Sequence, residues 1–321
     1  MKQLIIFSFH GDRSTNRLID WLVHLDCPYK RINLEDECRS NVSIKFKNGT
    51  SQLQLFLKNG ENVVFDNNTI CFIRGGYFKQ TNVVIPKFEI DKKELVNHLY
   101  NELNAIEQYF YKTVNDLSIC GVFEMPEHNK IFQLKHAQDV GFKIPDTKIT
   151  SQKKYLNKVF DNSKLLATKG IHNNLIANGS KRQSIQRVEK VMVSNIPKKF
   201  FPCAFQEIIN KKYEVRVFYF GNKFYAIKIK ESVKNDDIID MRDKYYSNNY
   251  SRYLLSRCVQ NKIIKLLATL NVKSASLDLL KQNNQYVFLE VNYTGQYDWV
   301  SGCGGFDIHR DLGIYIKSIL N

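Results

Sequence analysis

Two short apolar runs near the C-terminus each carry an acidic residue where a strand interior usually holds a hydrophobic one. They are Ser276-Leu277-Asp278-Leu279-Leu280 and Phe288-Leu289-Glu290-Val291-Asn292, separated by the polar stretch Lys281-Gln282-Asn283-Asn284-Gln285. A polar link of that length between two strand-like runs predicts a hairpin. Glu290 and Asn292 are two apart, so a strand points both to one face. Pairing the runs brings Asp278 beside them and gathers oxygen ligands on one hydrophobic-flanked face. Like charges there are costly without a cation. Oxygen-only ligation by so few protein groups suits Mg2+ shared with nucleotide phosphates. The alternative is a solvated hairpin face carrying incidental acids.

The stretch upstream adds cations. Pro202 to Ile209 reads as an apolar strand ending near Glu207. Glu214-Val215-Arg216-Val217-Phe218-Tyr219-Phe220, the turn Gly221-Asn222-Lys223 and Phe224 to Ile229 form a second hairpin. Alternation puts Glu214 and Arg216 on one face, with Lys228 on the returning strand. Arg216 and Lys228 near the carboxylates would neutralise a triphosphate and a transferring phosphoryl group. Arg and Lys on an exposed strand face, paired with Glu214, would look the same.

The order Lys130, Lys169, Glu207, Glu214, Arg216, Lys228, Asp278, Glu290, Asn292 resembles the ATP-grasp superfamily of carboxylate-activating ligases. More narrowly, Asn292-Tyr293-Thr294-Gly295-Gln296-Tyr297-Asp298-Trp299 resembles the Asn-x-x-Gly-Gln-x-x-Trp signature of graspetide (microviridin-type) peptide maturases. The N-terminal pattern Ile5 to Ser8, Asp12, Ser14-Thr15-Asn16 and Ile19 to Leu22 is similar to their grasp-with-spasm branch. Ile70 to Gly76 and Phe142 to Thr147 fit as well, so the resemblance spans nearly the whole chain.

The resemblance implies an α/β chain with α+β elements in the ATP-grasp fold. An N-terminal α/β domain would occupy 1–125, a central subdomain 126–206 and a C-terminal subdomain with the metal site 207–321. ATP would lie between the two antiparallel sheets of the last two. Lys130 and Lys169 would reach phosphates, though each alone reads as a surface lysine. Glu207, Ile208 and Ile209 would be the hinge that reads adenine, and Glu214 would accept from the ribose hydroxyls. Arg216 and Lys228 would stabilise phosphoryl oxygens, while Asp278, Glu290 and Asn292 would hold Mg2+. Asp240 and Arg242 resemble an Asp-x-Arg substrate element, with a local ion pair as the alternative. Arg74, ending an apolar strand beside Gly75, is either a carboxylate or leader contact or a capped strand end. The family's glycine-containing phosphate lid has one candidate, Ile176-Ala177-Asn178-Gly179-Ser180. Gly302-Cys303-Gly304-Gly305 follows the metal strand and reads as a turn or substrate-side loop, not a dinucleotide fingerprint.

The implied reaction moves the ATP γ-phosphate to an Asp or Glu side chain of a ribosomally made precursor peptide with a leader and an acidic core. A Ser or Thr hydroxyl or a Lys amine then closes an ω-ester or ω-amide. No protein nucleophile is needed, and His10, His128 and His309 read as structural or exposed. The runner-up is a ligase adding an amino acid to a protein or small molecule; the Gly-Gln-x-x-Trp run argues against it. A non-catalytic RNA-binding protein is suggested only by a net charge of +15. The lysines are dispersed in doublets such as Lys92-Lys93 and Lys211-Lys212, with no long basic stripe, so nucleic acid is disfavoured.

Hydrophobic residues make up 43% of the 321, which excludes general disorder and supports several domains. The seven cysteines are scattered without a C-x-x-C pair, which predicts reduced thiols, a cytoplasmic protein and no zinc site. No apolar run reaches membrane-spanning length, and a homodimer is left open. Along the chain, helices are expected at Ser14 onward, Leu95 to Val114, Lys130 to Val140, about Ser247 to Leu270, and around Leu312 to Ile319. A further helix should begin at Ser151, and a hairpin should join Val42 to Phe46 with Gln52 to Leu57.

Overall fold

Leu4, Ile5, Ile6 and Phe7 are buried on both sides, and the strand they form is the axis of the N-terminal sheet. The computed structural model describes residues 2–33, 41–75, 92–171, 175–178, 181–184, 189–231 and 248–321. β1 (Gln3–Ser8) leads into α1 (Arg13–His24), capped by Asp12, and then β2 (Tyr29–Asn33). β3 (Asn41–Lys47), β4 (Thr50–Phe56) and β5 (Asn62–Phe65) form a separate antiparallel sheet. β6 (Thr69–Ile73), α2 (Lys92–Leu117) and β7 (Ser118–Cys120) complete a parallel sheet of order β2-β1-β6-β7. Ile5, Phe7, Cys71 and Ile73 pack on α2 and the β3-β4-β5 sheet. Leu4, Ile6, Ile70 and Phe72 pack on α1 and the C-terminal part of the chain.

The central part begins with α3 (Lys130–Asp139), followed by β8 (Thr147–Gln152), α4 (Lys153–Leu156) and β9 (Leu165–Lys169). β10 (Leu175–Asn178) and β11 (Lys181–Ser184) pair as a small hairpin. β12 (Glu189–Met192) and β13 (Lys199–Glu207) complete an antiparallel sheet of order β12-β9-β13-β8. The lid candidate falls in the β10–β11 hairpin; its Gly179 and Ser180 lie outside the described residues.

The C-terminal sheet is built from β14 (Tyr213–Phe220), β15 (Lys223–Glu231), β16 (Asn248–Arg252), then, after α5 (Arg257–Thr269), β17 (Ala275–Gln282) and β18 (Gln285–Asn292). Its order is β16-β15-β14-β17-β18 and every pairing is antiparallel. α6 (Asp298–Gly304) and α7 (Ile308–Leu320) end the chain. One face carries Val215, Val217, Leu277, Leu279, Phe288 and Val291 against α5 and α3. The other carries Phe218, Phe220, Ile227 and Ile229 against α6, α7 and the N-terminal domain.

Three local expectations need correction. The helix expected from about Ser247 starts only at Arg257, because Asn248–Arg252 pairs with β15 as an edge strand. Residues 151 and 152 close β8, and the helix there is the four-residue α4. Gly302 and Gly304 sit in the last turn of α6, and Gly305 caps it in the left-handed conformation. Strand pairing and helix capping by tertiary neighbours override local composition in each case. The hairpin joining the Val42 and Gln52 strands is found as expected, and the helix from Lys130 ends at Asp139, one residue before the expected end. Among the described residues no helix is long and apolar enough to cross a membrane, and none of the six described cysteines forms a disulfide.

Candidate active site

The acids of β17 and β18 meet as pairing demands. Asp278 is opposite Glu290 on β18 and opposite Arg216 on β14, and Asn292 is opposite Ser276. Directly opposed residues share a face, so Arg216, Asp278, Glu290 and Asn292 form one cluster. Asn292 Nδ2 lies 3.4 Å from both Asp278 Oδ2 and Glu290 Oε1. Arg216 Nη1 donates to Asp278 Oδ2.

Two lysines close over this cluster from the central part. Lys169, at the end of β9, places Nζ 3.9 Å from Glu290 Oε2. Lys130 Nζ lies 3.5 Å from the same oxygen. Lys130 opens α3, whose start is fixed by the Asn129 side chain accepting from Ile131 N and Phe132 N. The helix is stitched to β18 by Gln133. Its amide donates to Val291 O at 3.2 Å and accepts from Val291 N at 2.8 Å, between Glu290 and Asn292.

Burial raises the Asp278 carboxyl above its usual range and the neighbouring Glu290 raises it further, against Arg216. For Glu290, burial pushes the same way, but Lys169, Lys130, Arg216 and the Asn292 amide hold its pKa below the ordinary value. Lys169 is pulled down by burial and held up by Glu290. Two acids and three cations thus share one buried volume. Each shift lowers when an opposite charge enters: a cation for Asp278, phosphate oxygens for Lys169.

Among the described residues no three His, Cys, Asp or Glu side chains form a complete metal cage. Asp278, Glu290 and Asn292 supply hard oxygen donors only, the donor set for Mg2+ that takes its remaining ligands from phosphate and water. Arg216 is only 6% exposed, and its Nε is buried with no hydrogen-bond partner among the described residues. A phosphoryl oxygen would satisfy that donor, so the residues fit Mg2+ and a nucleotide phosphate.

The hinge expectation finds an apolar floor. Ile209 packs with Leu280, Val287 and Leu289, a surface suited to a purine ring. Ile208 is exposed. The Glu207 amide already donates to Asp146 O at 3.0 Å, and its carboxylate accepts from Asp146 N at 3.2 Å. Glu214, cross-strand from Leu280 and on the Arg216 face, contacts Lys211.

Two assignments are corrected by the geometry. Lys228 is opposite Val215, which is buried in the α5-facing core. It therefore emerges on the face away from Arg216, with Nζ 5.6 Å from the Tyr213 ring centroid. One residue of strand parity separates it from the cluster. Arg74 is 7% exposed, donates to the carbonyls of Thr294 and Gly295, and places Nε 3.5 Å from Asp12 Oδ2. A guanidinium so engaged is a clasp within the chain, not a peptide contact. Asp240 and Arg242 lie outside the described residues.

Sequence reasoning missed Gln133 and the placement of Trp299. The Trp299 ring centroid is 5.7 Å from the Arg216 guanidinium carbon, a cation–π contact, with Tyr250 edge-on to it at 6.4 Å. Gln133 had no signal, since its helix shows no clear apolar face: Ile131 and Phe132 are exposed while Gln133 is buried. Trp299 had its place in the signature run.

No family model matches the chain, and no curated protein does. Solved structures match along its full length. A Chryseobacterium gregarium RiPP-associated ATP-grasp ligase, in complex with ADP and a leader and core peptide, is 18% identical with a TM-score of 0.72, over 99% of this chain and 97% of that one. The macrocyclase MdnC of Microcystis aeruginosa MRC, bound with precursor peptide MdnA, is 15% identical with a TM-score of 0.70, over 98% and 99%. The ATP-grasp ligase PsnB, complexed with a phosphomimetic variant of minimal precursor, Mg and ADP, is 13% identical with a TM-score of 0.65, over 99% and 98%. The chain has the fold of the ATP-grasp ligases from end to end.

Proposed function

We propose that the chain is an ATP-dependent peptide macrocyclase acting on a ribosomally made precursor. The observation that carries this reading is the single cluster of Asp278, Glu290, Asn292, Arg216, Lys130 and Lys169. It is supported by likeness to ligases solved with leader, core or precursor peptides.

Adenine rests on Ile209, Leu280, Val287 and Leu289, and Glu214 accepts from the ribose. Lys130 and Lys169 reach the phosphates. Asp278, Glu290 and Asn292 would hold Mg2+, which would supply positive charge to the phosphate oxygens. Arg216 points its Nε at the phosphoryl group as it passes to an Asp or Glu side chain of the peptide, giving an acyl phosphate and ADP. A Ser or Thr hydroxyl or a Lys amine of the same peptide attacks the acyl carbon, loses its proton and expels phosphate. The charges are fixed before the reaction begins, so no reorganisation is needed at the transition state.

Incubation with ATP, Mg2+ and the acidic, Thr- or Lys-bearing peptide encoded beside its gene tests this directly. Each link should remove about 18 Da, because an intramolecular nucleophile captures the acyl phosphate before water does. Mild base reopens esters and spares amides. A peptide that binds without losing mass, while a free amino acid becomes attached to a protein terminus, would overturn the reading.

A further inference from the structure

The segment from Asn292 to Trp299 carries a metal-cluster residue at one end and the Arg216 neighbour at the other. Between them the backbone is pressed from two sides. Below it, Gly295 has φ +46°, and a Cβ there would stand 2.8 Å from the Phe218 ring. Gly295 N closes a turn onto Asn292 O at 3.1 Å. Above it stands Arg74, donating to the carbonyls of Thr294 and Gly295.

Arg74 belongs to the N-terminal domain, which contributes nothing else to the charged cluster among the described residues. Its own backbone is tied to β1 by Arg74 N donating to Phe7 O at 2.9 Å. Its guanidinium carbon lies 5.0 Å from the centroid of the fully buried Tyr297 ring. Its Nε faces Asp12, which is fixed as the cap of α1 by Ser14 N and Thr15 Oγ1. A second tie lands on the same segment: Arg17 Nη1 donates to Asp298 Oδ1 at 2.7 Å, and His309 Nε2 lies 3.2 Å from that oxygen.

Burying a guanidinium is expensive compared with packing an apolar side chain of similar size. What Arg74 offers that an apolar side chain lacks is one nitrogen, Nη1, that donates to both backbone carbonyls, and a planar Nε held at a fixed offset beside Asp12. We propose that Arg74 is a positioning residue of the metal site: from the N-terminal domain it fixes the backbone between Asn292 and Trp299. Asn292 is thereby kept with Asp278 and Glu290, and Trp299 is kept on Arg216. The inference rests on the Mg2+–nucleotide reading of that cluster. It assigns the N-terminal domain a part in building the site, exercised through two carbonyl groups.

The test compares nucleotide binding with and without metal. Calorimetry with ADP alone, then with ADP and Mg2+, gives the metal-linked gain in affinity for wild type, Arg74→Ala and Arg74→Lys. Groups that orient metal ligands typically contribute 10–100-fold to metal affinity. Arg74→Ala should therefore lose about tenfold or more of that gain, with ADP-alone affinity little changed. Arg74→Lys should restore only part of it, because an ammonium placed at the two carbonyls leaves no second group in the place of Nε beside Asp12. Hydrogen exchange over residues 293–297 should rise in both variants while β17 stays protected. A variant that melts earlier yet keeps the full metal-linked gain would overturn the inference and leave Arg74 as packing alone. Should Arg74→Ala not fold, Arg74→Lys and Asp12→Asn carry the same comparison. Wild type that binds no ADP at all would sink the nucleotide reading instead; unchanged exchange over 293–297 in Arg74→Lys would then sink the clasp by itself.

Discussion

Asp278 faces Glu290 across β17 and β18 because Leu289 is one residue more than the ladder can pair. From the tight turn at Asn283-Asn284 the pairs run from Gln282–Gln285 to Leu279–Phe288, and the register then shifts to Asp278–Glu290. Without the bulge, Asp278 would oppose Leu289, and Glu290 would join Leu277 on the α5-covered face. The bulge re-aims the carboxylate and leaves Leu289 on the apolar floor with Ile209, Leu280 and Val287. One inserted residue thus gives the face both its charged end and its apolar end.

The charged end predicts the first result. Asp278→Asn or Glu290→Gln should abolish Mg2+-dependent ATP turnover while the protein still unfolds cooperatively. Burial already disfavours an ionised Asp278, so its neutral amide should not lower the metal-free melting temperature by more than a few degrees. Near-normal turnover in either variant, measured by ADP release, would remove these residues from the metal site.

Gln133 is the polar group whose loss should show most in stability. Its amide satisfies both backbone groups of Val291 inside the fold. Gln133→Leu leaves both unpaired, at about 1–3 kcal/mol for each buried group. Denaturant unfolding should show a loss of about 2 kcal/mol or more. A neutral result would mean that Val291 finds other partners.

The strand acids and the signature run were legible because each depends on residue type at short spacing. The bulge was not, since an extra residue looks like any other Leu until the turn is fixed to two residues. Lys228 failed by the same parity. Its strand was readable, but its face is set by pairing with Val215, which the hairpin turn at Gly221-Asn222 decides. Arg74 was singled out for the right residue type and the wrong partner, since its carbonyl acceptors lie more than 200 residues away. Gln133 is likewise a long-range choice: its partner, Val291, is 158 residues distant.

His128 and His309 give the protein a pH-dependent stability. Burial lowers the pKa of each. His128 Nδ1 accepts from Met125 N at 3.0 Å, so Nε2 carries the proton and donates to Leu270 O at 3.2 Å. A second proton on that ring would break the first bond. The unfolded chain, with imidazoles near pH 6.5, takes up protons before the folded one does. The stability these residues contribute is therefore present above about pH 6.5 and lost as pH falls towards their folded values. The unfolding free energy from urea titrations should drop between about pH 7.5 and 5.5, with a slope of up to about 1.4 kcal/mol per pH unit for each proton. His128→Gln should flatten that slope. An unchanged slope would assign the dependence elsewhere.

Arg216 and Lys228 are adjacent in the sheet yet should differ sharply in variant enzymes. Arg216 shares its face with Asp278, carries a buried Nε without a described partner, and has Trp299 5.7 Å from its guanidinium carbon. Removing a preorganised donor aimed at developing charge costs about 100–1,000-fold in kcat. Arg216→Lys should recover little and Arg216→Ala should fall in that range, because a single ammonium at Asp278 leaves no nitrogen at the position of Nε. Lys228 lies across the sheet beside Tyr213 and is half-buried there, so Lys228→Ala should change kcat by no more than about threefold, the size of effect expected away from the reacting groups. The comparison needs saturating ATP and peptide, so that binding defects do not enter. Equal losses in the two variants would mean that Lys228 reaches the phosphates after all, by a rearrangement of β15 on nucleotide binding. A loss confined to Arg216 would assign the phosphoryl-stabilising charge to the face that the Leu289 bulge builds.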